Sequence, residues 1–281
     1  MEVNFLKIKT KFSARGIIFM SIIIVLTIIF LFPFYWIVTG AFKPQNVTIQ
    51  IPPQWFPANP TLENFKELAK NPLISWTFNS FFISFCTMIV VCLTATMAGY
   101  ALAKKKFPGR NILFWSLIIA MALPKQVVMI PLFTILSKLH WINTYQALIL
   151  PAAGWPFGVF LMKQFSQGIP GELLEASKID GASEIRTFIN VVIPLVKPGV
   201  GALAIFTFIS SWNDYFMQLI IIRSSKMMTL PLGVALMQQE FTTNYGAIMA
   251  GAAIASLPMI IIFIVFQNYF TQGITMGAVK G

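Results

Sequence analysis

Six predominantly apolar stretches, near residues 17–39, 77–102, 112–133, 145–161, 199–222 and 247–270, are each about long enough to cross a bilayer. Lipid offers the backbone no hydrogen-bonding partner, so such runs fold as helices. The expected fold is therefore all-α, a polytopic membrane protein with six transmembrane helices. The chain is 57% hydrophobic and only 10% charged, where a soluble domain carries roughly 25% charged residues. Little sequence is left for a soluble domain, which implies one transmembrane domain over 1–281. The net charge of +11 does not point to nucleic acid, because the basic residues sit at the ends of apolar stretches rather than on one face of a soluble fold.

The first stretch follows Lys7, Lys9, Lys11 and Arg15 and has no small-x-small cleavage signal after it, so it is expected to be an uncleaved anchor. The third is interrupted by Pro124, Lys125 and Pro131, which leaves its outer end open. Lys104, Lys105, Lys106 and Arg110 crowd one short turn, and Lys163, Lys178, Arg186 and Lys197 share the next segment on that side. Basic residues favour the cytoplasmic side, so both termini are expected there. Cys86 and Cys92, six positions apart on one helix, project in different directions and cannot form a disulfide if that helix is intact. His140 is the lone histidine, so no metal set is expected. The proline-rich outer segment, 43–75, reads as irregular but stiff. Its one helical piece has Thr61 as cap, Glu63 in the first turn, and Leu62, Phe65, Leu68 and Ala69 on a shared face. That segment is either a packed external cover or a contact for an external partner.

The polar island between the fourth and fifth stretches is too long to be a mere connection. Pro170 and Gly171 break the chain, and good helix formers follow over 172–180. Leu173, Ala176, Ser177 and Asp180 fall on one face of mostly small side chains, and Glu172 and Glu175 suit the N-terminal half. Gly181 supplies a turn, Ser183 a cap, and Ile185, Phe188, Ile189 and Val192 an apolar stripe ending at Pro194. Periodicity alone allows this helix pair to lie on the membrane surface or to dock a partner.

The order Glu175-Ala176-Ser177, Gly181, then Val191-x-Ile193-Pro194 resembles the EAA loop of inner-membrane permeases in binding-protein-dependent ABC importers, with Ser177 in place of the second alanine. Gln267-Asn268-Tyr269-Phe270 and the residues from Gly273 to Gly281 resemble the ending of the smaller permease in the maltose-type, carbohydrate branch. Trp212-Asn213-Asp214-Tyr215 and Asn143-Thr144 are also similar to that branch. The resemblance implies a type I importer permease fold, with a permease core over 77–270 and a cytoplasmic coupling loop over 172–194. It implies a multi-pass subunit of a bacterial or archaeal plasma membrane, working with a second permease, two ATPase subunits, an extracytoplasmic solute-binding protein and a sugar.

On that reading Glu172, Leu173, Glu175, Ala176, Ser177, Asp180 and Gly181 couple to the ATPase, and Gly277, Lys280 and Gly281 form a tail at the ATPase interface. ATP and magnesium belong to the partners. This chain contains no GxxxxGK[ST] loop and no nucleophile–base set, so no cofactor and no catalytic residue is expected in it. An acid within a membrane stretch must face protein or water, which makes Asp214 either a helix anchor or a sugar contact. Trp212, Asn213, Tyr215, Lys125, Gln126 and Trp155 are further candidates for the substrate path. The resemblance also implies that most sugar contacts lie in the larger partner. An importer of a non-sugar solute remains open, whereas a secondary transporter would show paired repeats and more ionisable groups at mid-membrane.

Overall fold

The computed structural model describes the backbone of residues 14–239 and 244–278, and every regular element among them is helical. The main helices in order are α1 (Ala14–Ala41), α2 (Glu63–Leu68), α3 (Leu73–Lys104), α4 (Arg110–Met121), α5 (Lys125–Lys138) and α6 (Tyr145–Ile149). They continue with α7 (Pro156–Gln167), α8 (Gly171–Ile179), α9 (Ile193–Trp212), α10 (Tyr215–Ile221), α11 (Leu230–Leu236) and α12 (Tyr245–Ala278). Among the described residues α1, α3, α12 and the stretch Glu184–Trp212, which contains α9, are long and apolar enough to cross a membrane. Two bent pairs bring the number of spans to six if each pair is one: α4 with α5, and Tyr145–Gly154 with α7.

Three expected spans are thus broken rather than straight. The third turns by 109° between Met121 and Lys125, because Pro124 biases Leu123 away from helical backbone. The fourth bends by 42° at Trp155, just before Pro156 starts α7. The fifth, expected to run unbroken over 199–222, stops at Trp212 and restarts at Tyr215. Asn213 and Asp214 offer side-chain alternatives to backbone hydrogen bonds there. The Asp214 carboxylate accepts the Met217 N–H at 3.3 Å and so caps α10.

Pro194, expected to end the helix of the polar island, instead lies inside a continuous helical run. A π-helical turn over Phe188–Val192 carries the Ile193 N–H back five residues to the Phe188 carbonyl. The wider turn accommodates the ring that an α-helical turn would reject. The expected apolar stripe is split by the same packing: Phe188 and Val192 join the core, whereas Ile185 and Ile189 are exposed.

α3 is the central post. One core, against α7 and α9, holds Val91, Ala95, Tyr100, Val159, Met162, Val192 and Leu203. A second, around Ile83, Leu136, Leu148, Ile221 and Leu232, seats the short helices of the opposite end, and a third stacks Phe208 on Trp212 beside Trp76. α1 packs on α12 and presents an almost continuous exposed apolar surface from Ile17 to Phe34, as suits lipid or a second membrane subunit.

The end opposite the polar island is tied by side chains rather than by regular structure. Asn79 Nδ2 donates to the Lys226 and Met228 carbonyls at 2.8 and 2.9 Å, and Trp76 Nε1 donates to the Ser225 carbonyl at 2.7 Å. Asn143, in a left-handed conformation (φ 62°), accepts the N–H groups of Arg223 and Ser224. The outer segment has the expected short helix, whose first N–H is taken by the Thr61 hydroxyl. Its inward face is carried by Asn64 and Leu68, while Leu62 and Ala69 are exposed, contrary to expectation. Lys43, 1% exposed, donates to the Gln54 carbonyl and lies over the Trp36 ring, and burial lowers its pKa.

Candidate functional site

Two features bring the candidate residues together: a projecting helix at one end and a cavity where the broken spans meet. The helix is α8. Pro170 precedes it, Glu172 lies in its first turn and Lys178 in its last, each complementing the helix dipole. Its C-terminus closes with two bonds, Gly181 N–H to the Lys178 carbonyl and Ala182 N–H to the Ser177 carbonyl, both 3.0 Å. This is a Schellman motif, and Gly181 adopts the left-handed φ of 73° that it requires. Ser183 then caps the next helix by accepting the Arg186 N–H at 3.4 Å.

Glu172, Leu173, Glu175, Ala176 and Asp180 are exposed, but Ser177 is not. Its hydroxyl donates to the Leu174 carbonyl at 2.9 Å and lies 3.0 Å from the Thr187 hydroxyl, in a buried pair. The expected small-residue face is therefore divided, and the serine ties α8 to the helix that follows. Replacing either hydroxyl alone (Ser177→Ala or Thr187→Val) is expected to destabilise the purified protein by about 1 kcal/mol, because the other is left buried and short of a partner. The double variant should cost less than the sum of the two, and strict additivity of the melting shifts would show that the pair does not interact.

Lysines brace this end from α3 and the turn after it. Lys104 Nζ donates to the Gln167 and Ile169 carbonyls at 3.0 and 2.6 Å, just ahead of α8. Lys105 pairs with Glu184 and lies over the Tyr100 ring. Burial acts to lower the Lys105 pKa, but bonds to Glu184 and Tyr100 outweigh it and hold the amine above its ordinary value. Any stability the pair lends is thus intact at neutral pH, and is lost as pH rises through that raised value or falls through the Glu184 value, which the Lys105 hydrogen bond lowers. Being exposed, the pair is worth at most about 1 kcal/mol. Gly277 falls in the last turns of α12, whereas Lys280 and Gly281, like Lys7, Lys9 and Lys11, lie outside the described residues.

The cavity encloses about 700 Å³ and is walled by residues of α3, α4, α5, α7, α9 and α10 together with the 148–155 segment. Lys125, Trp155 and Asp214 line it, with Thr87, Thr207, Ser210 and Ser211 as the other polar side chains. Lys125 Nζ stands 4.0 Å from Asp214 Oδ2. Trp155 lies beside Phe157, ring centres 5.2 Å apart. The other candidates do not reach it. Trp212 is buried in the third core with Nε1 donating to the Ala255 carbonyl, and Asn213 donates back to the Ile209 carbonyl. Tyr215 packs in the second core, and Gln126 is exposed outside the cavity wall. Thr87, Thr207, Ser210 and Ser211 carry no sequence signal, since small hydroxyl residues within an apolar run do not stand out.

The family model described as binding-protein-dependent transport system inner membrane component matches residues 93–276, well over half of the chain. The chain belongs to that family. It is thus a multi-pass membrane component of a transport system, as its helices independently indicate. It is 37% identical over 254 residues to the arabinooligosaccharides transport system permease protein of Halalkalibacterium halodurans, covering 89% of this chain and 91% of that one. It is 32% identical to the diacetylchitobiose uptake system permease protein of Streptomyces coelicolor, covering 92% and 95%. To the trehalose/maltose transport system permease protein of Thermococcus litoralis it is 30% identical, covering 92% and 94%. Its fold matches the crystal structure of a bacterial ABC transporter involved in the import of the acidic polysaccharide alginate, with a TM-score of 0.78 over 91% of this chain and 96% of the other, at 20% identity. The expected importer-permease fold is therefore the fold observed, with three of its spans broken.

Proposed function

We propose that this chain is one of two permease subunits of an ATP-driven importer that carries a mono- or oligosaccharide. An extracytoplasmic binding protein delivers the sugar, and two ATPase subunits bind ATP and magnesium below. Sugar transport is supported by the named substrates of relatives that cover nearly the whole chain. The orientation, with both termini in the cytoplasm, is supported by the basic residues Lys104, Lys105, Lys106 and Arg110 at the same end as α8.

The observation that carries the mechanical part is the form of α8. It is a short helix that starts after Pro170 and is closed at its C-terminus by the Schellman motif, with one side packed on the bundle and Glu172, Leu173, Glu175, Ala176 and Asp180 presented outward. Small and acidic side chains let a cleft of the ATPase close around such a rod. Movement of the ATPase pair between its open and closed states would then rock the rod. The π turn and continuous helix Glu184–Trp212 would carry that motion into the membrane. The tail residues Gly277, Lys280 and Gly281 are assigned to the same interface.

Expression with the neighbouring transport genes tests this directly. An affinity tag on this chain should retain a second permease and an ATPase in mild detergent, and the complex should hydrolyse ATP faster when sugar-loaded binding protein is added. Purification of this chain without any ATPase would defeat the proposal.

A further inference from the structure

Three of the chain's spans break, and all three breaks face the same cavity. Leu123 at the first, Gly154 and Trp155 at the second, and Asp214 at the third all line it. Interrupted backbone at membrane depth is stable only where it is buried in protein or borders a water-filled space, and the convergence of three breaks on one cavity suits the second case. The volume is within the range of small-molecule sites, and the wall is mostly apolar with a few polar groups, as such sites are.

The polar groups are of a particular kind. Lys125 and Asp214 are the charged side chains of the wall, and they stand as a pair with opposite signs, so the chamber carries no net charge. Trp155 contributes an indole. Thr87 is 4% exposed and its hydroxyl finds no hydrogen-bond partner among the described residues, an unmet demand that a ligand hydroxyl can satisfy after rotation about Cα–Cβ. An acyl chain would need none of these groups. An anionic sugar would meet a lysine already compensated by its neighbour. A neutral ring offers hydroxyls to Thr87, Lys125 and Asp214 and an apolar face to the indole.

We propose that this cavity is a sugar subsite within this subunit and that the Lys125–Asp214 pair makes it select neutral over anionic sugars. The proposal rests on the sugar-importer reading above, and goes beyond it in placing substrate contacts in this permease rather than in its partner. Lys125 and Asp214 act as each other's counter-ion and jointly as donor and acceptor to the ring; Trp155 provides the stacking surface.

The test uses the assembled transporter in two assays. Equilibrium dialysis without binding protein measures the affinity for radiolabelled neutral disaccharides and for their uronic-acid counterparts, so the binding protein's own preference does not enter. Uptake by the complete complex in vesicles is measured in parallel. Wild type should hold neutral sugars more tightly than uronates, and Trp155→Ala should weaken the neutral ones by about tenfold. Asp214→Asn keeps a side chain that caps helices as well as aspartate does, but leaves Lys125 uncompensated. It should shift the ratio of affinities toward uronates by about tenfold. Lys125→Met combined with Asp214→Asn should restore the preference for neutral sugars, which a merely structural role of Asp214 would not do. Unchanged dialysis by both Trp155→Ala and Asp214→Asn, with uptake of neutral sugar persisting in wild type, would overturn the subsite and leave the importer reading standing. Absence of any sugar uptake by the complete wild-type complex would instead remove the reading on which it rests.

Discussion

Replacement of Gly181 by proline is expected to bring sugar-stimulated ATP hydrolysis in the assembled complex down to the unstimulated rate, with normal membrane insertion. The reasoning is conformational. Gly181 holds φ at 73°, whereas proline fixes φ near −65°. Proline also lacks the N–H that closes on the Lys178 carbonyl, so one of the two bonds of the Schellman motif disappears. The angle between α8 and the helix beginning at Glu184 is then set anew, and with it the direction in which a clamped rod pushes. No neighbour lies within 4 Å of the position where a Cβ would stand, so overcrowding contributes nothing and the span helices are not directly touched. Gly181→Ala separates strain from loss of the motif. It retains the N–H and costs roughly 1–2 kcal/mol for the left-handed backbone, so it should give intermediate coupling. Reconstituted complexes assayed with and without loaded binding protein provide the readout. Full stimulation in the proline variant would mean that α8 is not the element that transmits force.

The Schellman closure shows what kind of feature a sequence discloses. Pro170, Glu172, Gly181 and Ser183 each act locally, through φ, a dipole or a cap, and each sits where local chemistry places it. Fold class was legible for a similar reason, because an apolar stretch in lipid has few alternatives. The breaks in the third and fourth spans were half legible. Pro124 and Pro156 announce them, but the 109° turn depends on what α5 packs against, and its Met129 and Leu136 are buried by distant parts of the chain. The misjudged positions are those decided by tertiary contacts. Pro194 should stop a helix in isolation but is absorbed by a π turn. Ser177 reads as a small surface residue but is held inward by Thr187, ten positions away. Trp212 and Tyr215 read as sugar-stacking residues beside Asp214, but a helix break between them sends one into each of two cores. Segment 225–236 has no local signal because its anchors, Trp76, Asn79 and Ser80, lie nearly 150 positions earlier.

Gly99→Leu should lower the stability of the purified protein by at least about 3 kcal/mol, at the upper end of overpacking costs. α3 and α7 cross so closely at this point that a Cβ on residue 99 would stand 2.6 Å from the Lys163 nitrogen and 2.7 Å from the Met162 carbonyl carbon. Those are backbone atoms, so a side-chain rotation cannot relieve the contact and the two helices must part. In a membrane, where lipid is as apolar as the core, close backbone approach through small residues is a principal source of helix association, and separation forfeits it. The damage should also spread toward α8. Val159, Met162, Tyr100 and Val192 form one core with the crossing, and Lys104, five residues after Gly99, holds the carbonyls that lead into α8. A displaced α7 therefore misplaces the proposed lever as well as weakening the bundle. Gly16→Leu, on the open face of α1 with nothing within 4 Å, serves as the matched control and should not lower stability, since leucine is the better helix former. Thermal unfolding in detergent distinguishes the two, and equal melting temperatures for Gly99→Leu and wild type would show that α3 and α7 are not packed backbone to backbone.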